Sequence, residues 1–168
     1  AQFLRHLART RVLLHLVDVQ PEDGADPLEN AKNIEAELAQ YSGALLERPN
    51  WIVLSKVDQL DESALEALSA RFAAAFPNRL VFHISALGDI GLTDLTRELM
   101  RVLREEQLRM LEDEAFAEYA QSLQHRISSD ILAHSEHMRA KRRQHQAESE
   151  ETLHLDDEDD MEVIYVNE

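Results

Sequence analysis

Hydrophobic positions along the chain follow two spacings. Residues 12–17 (VLLHLV), 51–54 (WIVL) and 80–84 (LVFHI) are short, nearly continuous apolar runs, each followed by small or polar residues. Runs of this length predict strands buried on both faces of a parallel sheet. Elsewhere the apolar residues recur every three or four positions. Leu28, Ala31, Ile34, Leu38 and Tyr41 mark one inward helical face, Leu65, Leu68, Phe72 and Phe76 a second, and Leu95, Leu99, Val102 and Leu103 a third. Each is a stripe that a surface helix turns toward a core. The helix boundaries are also legible. Asp26 is an N-cap, Pro27 has no N–H to waste in the first turn, Glu29 can reach back to the cap, and Gly43 stops the helix. Asp61 caps the second helix and Pro77 follows its end. Gly88 and Gly91 bracket the turn before the third, expected from Leu92 to about Glu105. The order β-α-β-α-β-α predicts an α/β fold, an open parallel sheet with helices packed on it, of the kind that forms half of a doubly wound domain.

The flanks read differently. Phe3, Leu4, Leu7 and Ala8 put residues 1–9 in a helix with no visible cap, so the chain is expected to open inside a domain. Residues 108–146 contain no proline or glycine, and their apolar positions thin to Met110, Leu111, Phe116, Tyr119, Leu123, Ile127, Ile131 and Leu132. One or two long helices projecting from the globular part are expected. Residues 139–143, RAKRR, could meet RNA phosphates or could simply be a solvated basic stretch near a helix end. His134, His137 and His145 supply too few ligands to define a zinc site, and His15, inside an apolar run, fits a core or edge position better than a ligand.

Composition refines this picture in three respects. The net charge is -16, but residues 148–168 hold ten acids and no base, which predicts a disordered acidic tail rather than an acidic domain. It ends in MEVIYV, short enough to dock on a partner or stay loose. There is no cysteine, hence no disulfide or thiolate metal site. No stretch approaches the ~20 apolar residues of a membrane span. The expected domains are residues 1–106, a helical extension 107–147, and the tail 148–168.

The chemistry concentrates at two strand ends. The run 51–54 leads into Ser55, Lys56, Val57 and Asp58; the run 80–84 leads into Ser85, Ala86 and Leu87. Neighbouring parallel strands would bring these polar residues to the same sheet edge, where open α/β sheets bind ligands. SKVD followed about 30 residues later by SAL resembles the guanine-recognition pair of the GTPase fold, NKxD and SAx. The flanking text, FLRHLARTRVLLHLVD and DPLENAKNIEAELAQYS, resembles the Obg family of bacterial GTPases over residues 3–106.

That resemblance implies half of a P-loop GTPase-type sheet, followed by the helical extension and acidic tail. It implies GTP or GDP as ligand, with Asp58 accepting from the ring N–H and exocyclic amine of guanine, Lys56 lying across the base, the Ala86 N–H meeting the guanine carbonyl, Ser85 holding that loop, and Leu87 completing it. It further implies Mg2+ in the parent protein, a cytoplasmic location, a role in large ribosomal subunit assembly through rRNA and ribosomal proteins, and a response to guanine nucleotides including ppGpp. Two departures qualify it. Position 55 is serine where the family motif has asparagine, so weaker base affinity is expected. The 168 residues contain no GxxxxGK[ST], no DxxG before the opening helix and no threonine-bearing switch, so the phosphate and Mg2+ ligands are not in this chain and it is not expected to hydrolyse GTP alone. The chain is therefore expected to be the C-terminal portion of a longer GTPase, with the edge of strand 12–17 left open and prone to self-association. The alternative is a non-catalytic module that contacts the ribosome or protein partners through its helical extension and acidic tail.

Overall fold

The computed structural model describes the backbone of residues 6–156 and the side chains of residues 6–144. Phe3, Leu4 and MEVIYV lie outside the described residues. Three strands, β1 (Leu13–Asp18), β2 (Asn50–Ser55) and β3 (Val81–Ile84), form a parallel sheet in the order β1-β2-β3. The connecting helices are α1 (Pro27–Tyr41) and α2 (Glu62–Ala75), and β3 is followed by α3 (Leu92–Glu112) and α4 (Glu114–Asp156). This is the α/β architecture expected from the alternating periods, with a helical C-terminal part. Compactness divides the chain between Ile131 and Leu132, within α4.

Each face of the sheet carries its own core. On one side Val17, Ile52 and Leu54 meet Leu28 and Ala31 of α1 and Leu68 and Phe72 of α2; on the other Trp51, Val53 and Ile84 meet Leu95 of α3. Alternation along β2 drives this, because successive side chains of a strand leave opposite faces. All four residues from Trp51 to Leu54 are buried, as a central parallel strand requires.

Local signals gave most boundaries, and the exceptions have physical causes. Asp26 caps α1, its carboxylate accepting from the N–H groups of Leu28 and Glu29. Glu29 does not reach back to the cap: it pairs with Lys32 at 2.8 Å. Ile34, expected inside, is 45 % exposed. Its neighbour Glu35 takes the inward position, in contact with Arg79 and 4.0 Å from Nδ1 of His15. The third helix runs to Glu112 rather than ending near Glu105. The extension does not simply project. Leu123, Ile127 and Ile131, spaced by four along α4, are buried against Ala8, Ala44 and Leu45. The α4 backbone stays helical to Asp156, into the stretch read as acidic tail.

His15 makes stability pH-dependent. Burial first, and then the Arg79 charge, hold its pKa below the usual histidine value. Burial likewise lowers His83. As pH falls below about 6.5 the unfolded chain takes up protons that the folded chain resists, so folding stability drops until the folded-state pKa values are passed. Urea melts between pH 7.5 and 5 are expected to show this loss, and His15→Leu to reduce it. A His15→Leu profile as steep as that of the unaltered protein would remove His15 as the cause.

Candidate functional site

Strand register decides where the polar loops fall. Asp18 pairs with Ser55, and Ser55 with Ile84, so the carboxyl ends of all three strands form one row. The loops that follow them leave from the same sheet edge, the usual position of a ligand crevice in open α/β sheets.

Ser55 closes β2, and its hydroxyl donates to the Val17 carbonyl at 3.0 Å, tying β2 to β1. Lys56 then takes a left-handed backbone conformation, φ 62 and ψ 33, which turns the chain sharply out of the strand. Its Nζ lies 2.6 Å from Oδ2 of Asp18, while Oδ1 of Asp18 accepts from the Gln20 N–H at 3.0 Å. The hydrogen bond between them raises the Lys56 pKa and lowers that of Asp18. Both therefore stay ionised through the ordinary pH range. Val57 is buried and anchors a short 3-10 turn, Val57–Gln59, that carries Asp58 into solvent. The Asp58 carboxylate has no hydrogen-bond partner among the described residues.

The second loop is built on Ser85, which is 1 % exposed. Its Oγ accepts from the Gly88 N–H at 2.8 Å. Its backbone N–H donates to the Ile90 carbonyl at 3.0 Å, and its carbonyl accepts from the Ile90 N–H at 2.9 Å. These three bonds close residues 85–90 into a small loop with Ala86 and Leu87 at the exposed tip, Leu87 being 93 % exposed. Ser85 thus holds the loop, and the backbone at Ala86 and Leu87 is presented outward.

The edge therefore offers the exposed carboxylate of Asp58, a lysine stem held at its far end by a carboxylate, and a constrained loop tip. Such a set can hydrogen-bond and cover a flat, polar ligand. Asp18 is the member that sequence reasoning missed. It stands 38 positions before Lys56, and only the β1–β2 register brings the two together; its one local mark was an acid ending an apolar run.

No protein-family model matches the chain. Among the described residues no group of three or more histidine, aspartate or glutamate side chains could hold a metal ion, and no helix is long and apolar enough to cross a membrane.

Proposed function

We propose that this chain is part of an Obg-type GTPase, and that the loops at Ser55–Asp58 and Ser85–Leu87 hold the guanine base of GTP or GDP. The supporting observation is the arrangement at the strand ends: two constrained loops on one edge, with an exposed Asp58 carboxylate that no side chain among the described residues claims. Asp58 accepts from the two adjacent N–H groups of guanine, Lys56 covers the base with its methylene stem, and the Ala86 N–H meets the guanine carbonyl. Adenine presents no such pair of donors. Covering Asp58 with adenine would strip water from a carboxylate without replacing the lost hydrogen bonds, a cost of several kcal/mol for a charged group. Asp18 fixes the end of Lys56, so the lysine pays less entropy on binding.

Ser55 spends its one hydroxyl proton on the Val17 carbonyl, which leaves it no donor to offer a ligand. In the Obg reading, the phosphates and Mg2+ are held by segments other than these 168 residues, and GTP hydrolysis is an activity of the parent protein. Large ribosomal subunit assembly in the cytoplasm, through rRNA and ribosomal proteins, is the accompanying role.

The test is nucleotide affinity of the full gene product. GDP is expected to bind far more tightly than ADP, and Asp58→Ala to lose about 100-fold for GDP, or ~2.7 kcal/mol, while leaving ADP unchanged. Equal GDP affinity before and after the substitution would reject the assignment. The second reading, a non-catalytic binding module, is favoured by the exposed basic run at residues 139–143 on α4. It predicts the opposite pattern: ribosome association lost when that run is neutralised, and no nucleotide preference.

A further inference from the structure

Charge around the strand-end site is lopsided. The loops that follow the three strands, residues 19–26, 56–61 and 85–91, carry Glu22, Asp23, Asp26, Asp58, Asp61 and Asp89, and Lys56 is their only cation. Cations on the flanking helices are engaged elsewhere. Arg71 of α2 pairs with Asp26 at 2.5 Å, while Lys32 of α1 and Arg97 of α3, the first cations of their helices, pair with Glu29 and Asp94. The positive charge that these loops can offer a ligand is therefore the charge of Lys56.

That charge is cancelled. Nζ of Lys56 lies 2.6 Å from Oδ2 of Asp18, and the other carboxylate oxygen of Asp18 accepts from the Gln20 N–H at 3.0 Å, so the acid is oriented as well as close. The hydrogen bond to Asp18 and then its charge raise the Lys56 pKa, and Glu22 adds to the shift. The lysine backbone stands at φ 62, a conformation that strains a residue with a Cβ and suits glycine. Lysine at such a position points to a use for its side chain. With the ammonium group bound to Asp18, a ligand meets the uncharged stem, half exposed, and beside it the Asp58 carboxylate.

We propose that this edge takes the neutral nucleoside part of its ligand and gives no hold to phosphate, and that Asp18 sets this specificity by cancelling the charge of Lys56. The inference rests on the guanine reading of the same site and adds the ligand class: guanosine, rather than its phosphates, is the preferred ligand of these 168 residues. A phosphate on the ribose brings negative charge toward a surface that is already negative, and it finds no free cation to offset the repulsion. Released from Asp18, Lys56 would be that cation.

Guanosine, GMP and adenosine titrated into the ¹⁵N-labelled 168-residue chain at low salt, with the amide shifts of residues 55–58 and 85–90 as readout, test this. Guanosine is expected to bind more tightly than adenosine and at least as tightly as GMP. Asp18→Asn leaves Lys56 unpaired and is expected to raise the ratio of GMP to guanosine affinity about threefold, the size of one charge acting on a phosphate roughly 10 Å away at low ionic strength. Lys56→Met keeps an apolar stem, leaves Asp18 uncompensated, and is expected to lower the same ratio about threefold. The double variant is a neutral pair and is expected to return the ratio to its original value. A purely structural ion pair would not move the ratio in opposite directions. Both side chains are partly exposed, so the variants are expected to stay folded, which their urea midpoints check; the comparison of guanosine with GMP in the unaltered chain needs no variant. Guanosine preferred over adenosine but GMP bound more tightly than guanosine overturns the proposal alone, as does an unchanged ratio in folded Asp18→Asn or a ratio that does not recover in the double variant. No guanosine binding, or equal binding of adenosine, overturns the guanine reading and the proposal with it.

Discussion

Gly91→Ala is expected to destabilise the fold by about 2–5 kcal/mol. Gly91 caps the start of α3 in a left-handed conformation, φ 69 and ψ -7, which alone costs a residue with a Cβ about 1–2 kcal/mol. The larger part is steric. A Cβ built there falls 2.0 Å from the carbonyl oxygen of His83 and 3.1 Å from its carbonyl carbon. Backbone of a strand is not a flexible neighbour, so α3 must lift away from β3, with an overpacking cost of about 1–3 kcal/mol. Gly24 provides the comparison. Its φ is 68, yet nothing lies within 4 Å of an added Cβ, so Gly24→Ala is expected to show the conformational cost alone. Urea unfolding of both variants separates the two contributions. Equal losses would show that close approach to His83 is not what requires glycine at position 91. Gly91 directly follows the Ser85–Ile90 bridge, so the same substitution is expected to loosen the loop that presents Ala86 and Leu87.

Ile127→Ala is expected to cost about 3 kcal/mol, the usual loss for an isoleucine cut back in a sealed core. Ile127 is fully buried and shares a cluster with Leu123, Ile131, Ala8, Ala44 and Leu45. Polar contacts run alongside it: the Ser42 hydroxyl donates to Asp130 at 2.7 Å, and Arg126 pairs with Glu47. If the first part of α4 is integral to the folded unit, this loss appears in the single cooperative transition of the domain. Leu111, 78 % exposed on α3, is the control, and Leu111→Ala is expected to change stability by less than about 0.5 kcal/mol. An Ile127→Ala variant as stable as Leu111→Ala would mean that α4 contributes little to the core and does project freely.

The two outcomes bear on the candidate site in different ways. Gly91 shapes the strand-end loop proposed to read guanine, whereas Ile127 holds α4 against Ala44 and Leu45. A fold that loses α4 packing should leave the β2 loop, anchored by Ser55 and Val57, in place.

The chain's periods were enough for the α/β order, for three strands, and for the inward faces carrying Leu28, Leu68, Phe72 and Leu95, because burial of a strand or helix face is written at fixed spacing. Asp26 and Asp61 as caps were equally local, since a cap bonds N–H groups two or three residues away. Ser55, Lys56, Asp58, Ser85, Ala86 and Leu87 could be singled out because each follows an apolar run. What no spacing contained were the meetings between distant elements. Asp18 reaches Lys56 through strand register, Glu35 displaces Ile34 because Arg79 waits in the turn between α2 and β3, Arg48 meets Gln124 of α4, and Gly91 is forced by one carbonyl of β3. Sequence by itself determined most of the inward positions, since these follow from neighbours three or four places away; tertiary structure decided the exceptions, such as Glu35 for Ile34, and which inward charges find partners, because both depend on how separate elements are brought side by side.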